Sequence, residues 1–394
     1  MSKKYLNYEG KKFCTEPYRT VCIGPTGGVT ACCALSKYNF GLVTEETQNS
    51  LDKIYDSKEW KRFFKNNSIG NFDNKCIDAC GRPGITVYNL SWKIAEREGW
   101  KHKNKKPVSA DIAFSNLCNL SCTMCDSTFS SEWIKIAKKE KGECKDKPWN
   151  FSEKQVIEIA EYIKDATRIV IKGGEPMFNP RLPLFVKELA KHNTNRDFTL
   201  ITNLSVVQDE TLKEFNKFSL NGVKPHLQTS LESCDEDYYK LIRGGNTTTF
   251  DKFVKNLNYV KENYNNIHIR VHYLINAWSI HRLREDLEIL HSLGVQKVGM
   301  DTIIGPAEQS FITQNDKVRR KAYRDIKYVT IKYPNFIENP NEMLNQFLDV
   351  KDFNKNKAKN IKLAQEYYDR RLLQGTTFKK SFNELFGEYI NNHV

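Results

Sequence analysis

Residues Cys118-Asn119-Leu120-Ser121-Cys122-Thr123-Met124-Cys125 follow an apolar, strand-like run from Val108 to Phe114. The three cysteines stand at the spacing C-x3-C-x2-C. Three thiolates hold three corners of a 4Fe–4S cubane and leave the fourth iron open to a small molecule, whereas ferredoxin-type sites close the cluster with a fourth cysteine. The competing reading is zinc, which normally closes with four Cys or His ligands. No Cys or His falls within the fifteen residues after Cys125, and Cys144 is the next cysteine.

Around this stretch the chain alternates between strands and helices. Strand-like runs lie at Val108–Phe114, Arg168–Ile171, Asp197–Ile201, Pro225–Ser230, Ile267–Ile275 and Val295–Met300. Helical patterns lie between them, at Glu132–Lys139, Glu153–Lys164, Pro180–His192, Asp209–Lys217, Phe250–Tyr264 and His281–Leu293. Glu153–Lys164 follows Ser152, a good N-cap, with Val156, Ile157, Ala160 and Ile163 at helical spacing. Six βα repeats predict an α/β fold with a parallel sheet. Six are fewer than the eight of a closed barrel, so the expectation is an open (β/α)6 partial barrel.

Sites in such folds sit at the carboxyl ends of the strands. The second strand runs into Lys172-Gly173-Gly174-Glu175-Pro176. Glycines let the backbone approach a ligand closely, and a carboxylate accepts hydrogen bonds from an ammonium. The third strand ends in Thr202-Asn203-Leu204, the fourth in Ser230-Leu231-Glu232-Ser233, and the fifth at Asn276; Arg243-Gly244-Gly245 follows the fourth. Thr202 and Asn276 read equally well as strand-end turn chemistry. Arg243 suits bidentate grip of a carboxylate.

The three-cysteine motif with Gly173-Gly174-Glu175-Pro176 resembles the radical SAM superfamily, over about residues 108 to 305. The resemblance implies that Cys118, Cys122 and Cys125 hold a catalytic 4Fe–4S cluster whose open iron is chelated by S-adenosylmethionine (SAM). Electron transfer into the sulfonium would then release a 5'-deoxyadenosyl radical. It further implies that Gly173, Gly174 and Glu175 hold the SAM amino group, and that Met124, where the family usually has an aromatic, makes a main-chain contact to adenine. Thr202-Asn203 resembles the family's Thr-Asn-Gly, with Leu204 in place of glycine. Ser230 and Asn276 would face the ribose or carboxylate, and Arg243 the carboxylate.

A second cysteine set precedes residue 81: Cys14, Cys22, Cys32, Cys33, Cys76 and Cys80. Gly24-Pro25-Thr26-Gly27-Gly28 is a turn signal, and Val29 to Cys33 reads as a short strand after it. Successive strand residues point to opposite faces, so Cys32 and Cys33 are not expected to share one cluster. The C-x13-G-x4-C pattern of Cys14, Gly28 and Cys33, with Cys76-x3-Cys80 after it, resembles the SPASM/twitch auxiliary-cluster domain, which the family usually places after the barrel. It implies a second, closed 4Fe–4S cluster on Cys14, Cys33, Cys76 and Cys80, with Cys32 or Cys22 as the alternative to Cys33. A zinc module would use the same four ligands. Glu46–Asn66 predicts one or two amphipathic helices and Ser91–Trp100 another. Lys101–Pro107 reads as a polar linker.

After Gly305-Pro306 the βα pattern stops. Asp316–Lys332, Ile361–Leu373 and Phe378–Ile390 read as helices and Asn335–Asn345 as a polar loop. The domain reading is therefore 1–100, a twitch-like iron–sulfur domain; 107–306, the partial barrel; and 307–394, a helical extension. Cys234, Asp301 and Glu308 stand near expected strand ends, whereas Cys144 has no evident partner.

Eleven cysteines without a secretion signal argue for metal ligands in a reducing cytoplasm rather than disulfides. No apolar run reaches the eighteen residues of a membrane span. The formal net charge of +13 attracts anionic partners. A zinc-stabilised, basic nucleic-acid-binding protein is accordingly the reading from another class. The family resemblance instead implies an enzyme that cleaves SAM reductively and abstracts a substrate hydrogen. Its electron donor would be a flavodoxin or ferredoxin. The substrate expected is a peptide or protein, with a nucleoside or sugar as the alternative.

Overall fold

The computed structural model describes residues 9–10, 13–35, 38–44, 47–80, 87–97, 107–244, 248–303, 305–348 and 357–392. The linker residues 101–106, Gly245, and two expected helix ends, Glu46 and Trp100, lie outside these. The chain divides into two compact units: 1–117 with 147–200 and 208–225, and 118–146 with 201–207 and 226–394.

The first unit carries β1 (Thr20–Ile23), β2 (Val29–Thr30), β3 (Ser109–Ala113), β4 (Arg168–Lys172) and the start of β5 (Asp197–Thr202), in the order β2-β1-β3-β4-β5. β3, β4 and β5 are parallel. Ala110, Ile112 and Phe114 are fully buried on one face of β3, with the Phe151 and Phe185 rings 5.6 and 5.1 Å from Phe114. Burying one such side chain stabilises by about 1.5–3 kcal/mol. The other face carries Asp111, paired with Lys172 at 2.7 Å. The helix Glu153–Tyr162 starts on a capping box in which Ser152 and Gln155 each accept from the other's backbone N–H.

The N-terminal segment adds a strand that sequence reading missed. β1 lies parallel to β3, with Cys22 opposite Asp111, and antiparallel to β2, with Cys22 opposite Thr30. The short strand expected from Val29 to Cys33 stops at Thr30, and Cys33–Leu35 forms a 3-10 turn. The Glu46–Asn66 pattern resolves into two helices, Thr47–Asp56 and Lys58–Ser68, split at Ser57, which caps the second.

The second unit carries β6 (His226–Leu231), β7 (His268–Ile275) and β8 (Lys297–Thr302), all parallel. Leu227, Leu231, Ile269, Val271, Tyr273 and Ile275 are buried. Gln228, Ser230, Arg270 and His272 alternate with them and are half-buried on the opposite face. The expected run of six strands is thus present as β3 to β8, with helices between them, as an α/β fold. The helix Glu236–Arg243, capped by Asp235 and followed by Gly244 at φ +127°, went unread.

The helical C-terminal region comprises Asp316–Lys332, Pro340–Leu348, Lys357–Leu373 and Phe382–Asn392. The polar loop expected over Asn335–Asn345 is corrected from Pro340 onward. Pro340 opens a helix, where its fixed φ suits the first position, and Met343, Leu344 and Phe347 give that helix a buried face. Tyr368, Leu385, Phe386 and Tyr389 pack with Tyr238 and Trp278. Among the described residues no helix is long and apolar enough to cross a membrane.

Candidate functional site

The cysteine loop begins right after β3 and is held by its own downstream helix. Ser130 caps Ser131–Lys141, and its hydroxyl also donates to the Leu120 carbonyl at 2.6 Å. Ser131 Oγ accepts from the Cys118 N–H and donates to the Cys118 carbonyl, both at 3.0 Å. Trp133 Nε1 donates to the Cys122 carbonyl at 2.9 Å. The Leu120 N–H points at Cys118 Sγ, 3.4 Å away. These bonds fix the backbone before any ligand arrives, which is what a preorganised thiolate site requires. Asn119 donates to Ser205 Oγ at 2.9 Å, tying the loop to the Thr202-Asn203-Leu204 turn.

Burial pushes the Cys122 thiol up, against the pull of Arg243, and pushes Cys125 up to about 12, with Cys122 adding to it. Buried thiols of this kind lose their protons on taking a metal. Among the described residues no three of His, Cys, Asp and Glu stand close enough to hold a metal ion in this side-chain arrangement. The donor chemistry fits an iron–sulfur cluster nonetheless: three soft sulfur ligands on one fixed loop.

In the first unit β4 ends at Lys172, and the glycine motif turns back onto the lead-in to the cysteines. Gly174 N–H donates to Ser115 O at 2.8 Å and Glu175 N–H to Leu117 O at 2.7 Å. A Cβ on Gly174 would lie 2.2 Å from Leu117 O, and one on Gly173, whose φ is +132°, 2.6 Å from Ser115 O. Only glycine permits this approach. Glu175 is fully buried, and its Oε1 accepts from Met177 N–H at 2.9 Å.

The remaining expected contacts divide. Thr202 Oγ1 accepts from Leu204 N–H at 2.9 Å, which supports Leu204 at φ +55°, the region a glycine would favour. Ser230 is half-buried opposite His272 of β7. Asn276 is fully buried: its Nδ2 donates to Gln309 Oε1 at 3.0 Å and its Oδ1 accepts from Trp278 N–H. The same Gln309 oxygen accepts from Thr123 Oγ1 at 2.8 Å. Gln309, 33 residues beyond Asn276, was unread because no spacing announces it. Met124 packs its side chain against the aromatic cluster of Trp278 and Tyr367. Arg243, read as a clamp for a ligand carboxylate, closes its fork on Glu232, and its Nη1 stands 3.9 Å from Cys122 Sγ.

Cys234 is buried and donates to the Asp286 carbonyl at 3.4 Å. Asp301 is exposed, 3.9 Å from His272. Glu308 is buried, with its carbonyl accepting from Tyr389. Cys144 is half-buried beyond the Ser131–Lys141 helix.

Of the N-terminal cysteines, Cys76 and Cys80 share the short helix Asn74–Cys80 at i and i+4, one face of a helix. Cys80 and Cys14 pack with Trp92, and Cys76 packs against Cys32, Leu35 and Trp60. Asn67 holds Cys14 by two bonds, of 3.1 and 2.9 Å, to its backbone. Burial raises the Cys14 thiol, with Glu16, Cys80 and Cys76 adding to the rise; burial raises Cys32, with Cys14, Cys33 and Glu16 adding to it. Cys33 is pushed up to about 11 by burial, opposed by Lys172, and its charged surroundings include Asp111, Glu16 and Arg168. Cys14 and Cys80 thus share one hydrophobic cluster and Cys32 and Cys76 another, while the charged groups that influence Cys33 lie on β3 and β4 and at Glu16.

Residues 112–290 match the sequence model of the radical SAM superfamily, and residues 14–82 match SPASM, an iron–sulfur cluster-binding domain. No curated relative matches the chain. Among solved structures the chain is similar to native anSMEcpe with bound AdoMet, at 16% identity over 59% of this chain and 64% of that one, TM-score 0.45. It is also similar to SuiB of Streptococcus suis bound to S-adenosylmethionine, at 14% identity over 73% and 62%, TM-score 0.45. The matches span less than two thirds of the length of either structure. The chain carries a radical SAM domain with an iron–sulfur cluster-binding domain ahead of it.

Proposed function

We propose that this radical SAM protein cleaves SAM reductively and abstracts a hydrogen atom from a peptide or protein substrate. Cys118, Cys122 and Cys125 would hold the catalytic cluster, with Gly173 to Glu175 at the SAM amino group and Met124 offering main-chain contact to adenine. Cys14, Cys76, Cys80 and one of Cys32 and Cys33 would hold a second, closed cluster. The observation that carries the reading is the backbone pairing of Gly174 and Glu175 onto Ser115 and Leu117, the residues that lead directly into Cys118. It ties the ligand-approach glycines to the root of the cysteine loop.

When bound, cluster and SAM supply the radical chemistry. The chain's own residues bind, orient and exclude water. Ser130, Ser131 and Trp133 fix the loop. Thr202, Ser230 and Asn276 stand at the ends of β5, β6 and β7, where ligands of parallel sheets gather. The half-buried face of β6 and β7, with Gln228, Ser230, Arg270 and His272, suits a polar, hydrogen-bonding substrate such as a peptide. An electron donor of flavodoxin or ferredoxin type completes the scheme.

The test is an anaerobic iron and sulfide count, with 5'-deoxyadenosine release under a chemical reductant. We expect about eight iron per chain, falling to about four when Cys118, Cys122 and Cys125 are all alanine, with nucleoside release only from the wild type. Zinc in place of iron in reconstituted wild type would sink the proposal.

A further inference from the structure

The helix Lys357–Leu373 lies outside both matched segments, yet it grips the cysteine loop on either side of Cys122. Arg371 is 1% exposed. Its Nη1 donates to Ser121 Oγ at 2.8 Å, its Nη2 to Ser121 O at 2.6 Å and its Nε to Leu241 O at 3.0 Å. Tyr367, one turn earlier and on the same helix face, donates its hydroxyl to Thr123 O at 3.3 Å. The neighbouring Arg370 faces outward and pairs with Glu140 at 2.8 and 3.3 Å. It thereby ties the same helix to the one carrying Trp133.

A buried guanidinium is costly unless its donors and charge are satisfied. The donors of Arg371 go to carbonyl and hydroxyl oxygens, and among the described residues no carboxylate pairs with it. Its guanidinium is bonded to both the hydroxyl and the carbonyl of Ser121, the residue that precedes Cys122. We propose that Arg371 is a positioning residue for the catalytic cluster: it locks the backbone beside Cys122 and holds a fixed positive charge on the residue next to that ligand. The second half rests on the reading of Cys122 as a cluster ligand; the first does not. A fixed cation near a cluster favours its reduced, more negative state and raises its potential.

Two measurements on the full chain test this. The first is hydrogen exchange of the amides of Thr123 and Cys125 in metal-free protein; both are bonded within the structure, to Ile242 O and Cys122 O. R371Q is expected to exchange there at least tenfold faster than wild type, and R371K by an intermediate factor. Rates equal to wild type in both variants would overturn the lock. Should R371Q fail to fold, Y367F must still speed exchange at these amides, and wild-type rates there would overturn the lock equally. The second is the reduction midpoint of the reconstituted cluster, followed by electron paramagnetic resonance. R371Q should shift it to more negative potential, while R371K, which keeps the charge, should stay near wild type. An unmoved midpoint in R371Q overturns the electrostatic half. Because exchange is read without metal, its failure is distinct from absence of iron in the wild type, which would sink the function proposed above.

Discussion

Arg243 and Glu232 close on each other inside the second unit: Nε meets Oε2 at 2.5 Å and Nη2 meets Oε1 at 2.7 Å. The side chains are 6% and 2% exposed. A fork-to-fork pair at this depth holds the end of β6 to the helix Glu236–Arg243, whose last residue also borders Cys122.

Breaking one side of a buried pair leaves an uncompensated charge. Glu232→Ala and Arg243→Ala should each lower stability by about 3–5 kcal/mol, and Glu232→Leu/Arg243→Met by much less than their sum. Urea unfolding of metal-free protein measures this. Additive losses would show that the two residues act apart.

The N-terminal cysteines give a sharper discrimination. Spacing from Gly28 selects Cys33, but packing sets Cys32 against Cys76 and within the influence of Cys14. Cys32→Ala should therefore lose about four of eight iron per chain, and Cys33→Ala should keep them all. The opposite result would return the fourth ligand to Cys33 and require the turn Cys33–Leu35 to rearrange on loading.

The difference between those two cysteines shows where sequence reading stops. Strands β3 to β8 were legible because each is an apolar run of strand length set between helical patterns. The cysteine loop and Gly173-Gly174-Glu175 were legible because their chemistry tolerates few residue types. Cys32 against Cys33 was not, because the strand that carried the alternation argument ends at Thr30. Glu232 as the partner of Arg243, and Arg371 as the partner of Ser121, were not, because both pairings are set by tertiary packing that leaves no periodic trace. The helix Pro340–Leu348 was hidden by its polar exposed face, Asn341, Glu342 and Asn345.

Gly174 can be tested by one methyl group. Its added Cβ would fall 2.2 Å from Leu117 O, and backbone cannot yield as a flexible side chain does. Gly174→Ala should weaken SAM binding at least a hundredfold in calorimetric titration of reconstituted protein, while the N-terminal iron stays. Gly142→Ala is the control. Gly142 ends the Ser131–Lys141 helix at φ +78° with no atom within 4 Å of an added Cβ. That change should cost about 1 kcal/mol of stability and leave SAM binding intact. Wild-type affinity in Gly174→Ala would remove the glycine edge from the site.

Asp286 and His281 are shifted by burial in opposite directions. Asp286 is fully buried, and burial pushes its carboxyl up from 3.8 to about 6 despite Arg282 and the Tyr273 hydroxyl, which donates to it at 2.8 Å. A raised acid contributes stability that is complete below its unfolded pKa and lost as pH rises through 6. Burial pulls His281 down from 6.5 to about 4, with Arg282, Lys321 and Lys380 adding to the effect. A depressed histidine does the reverse: its stability is complete above 6.5 and lost as pH falls through 4. Between pH 4 and 6 the two slopes offset. Asp286→Asn keeps an acceptor for Tyr273 and removes the ionisation. It should gain up to about 3 kcal/mol at pH 7, the equivalent of roughly two pKa units. The variant should also become steeply less stable from pH 6.5 down to 4, where the wild type changes little. Urea unfolding of metal-free protein at pH 4.5, 5.5 and 7 reads both slopes. A wild type as steep as the variant would show that Asp286 is ionised without penalty.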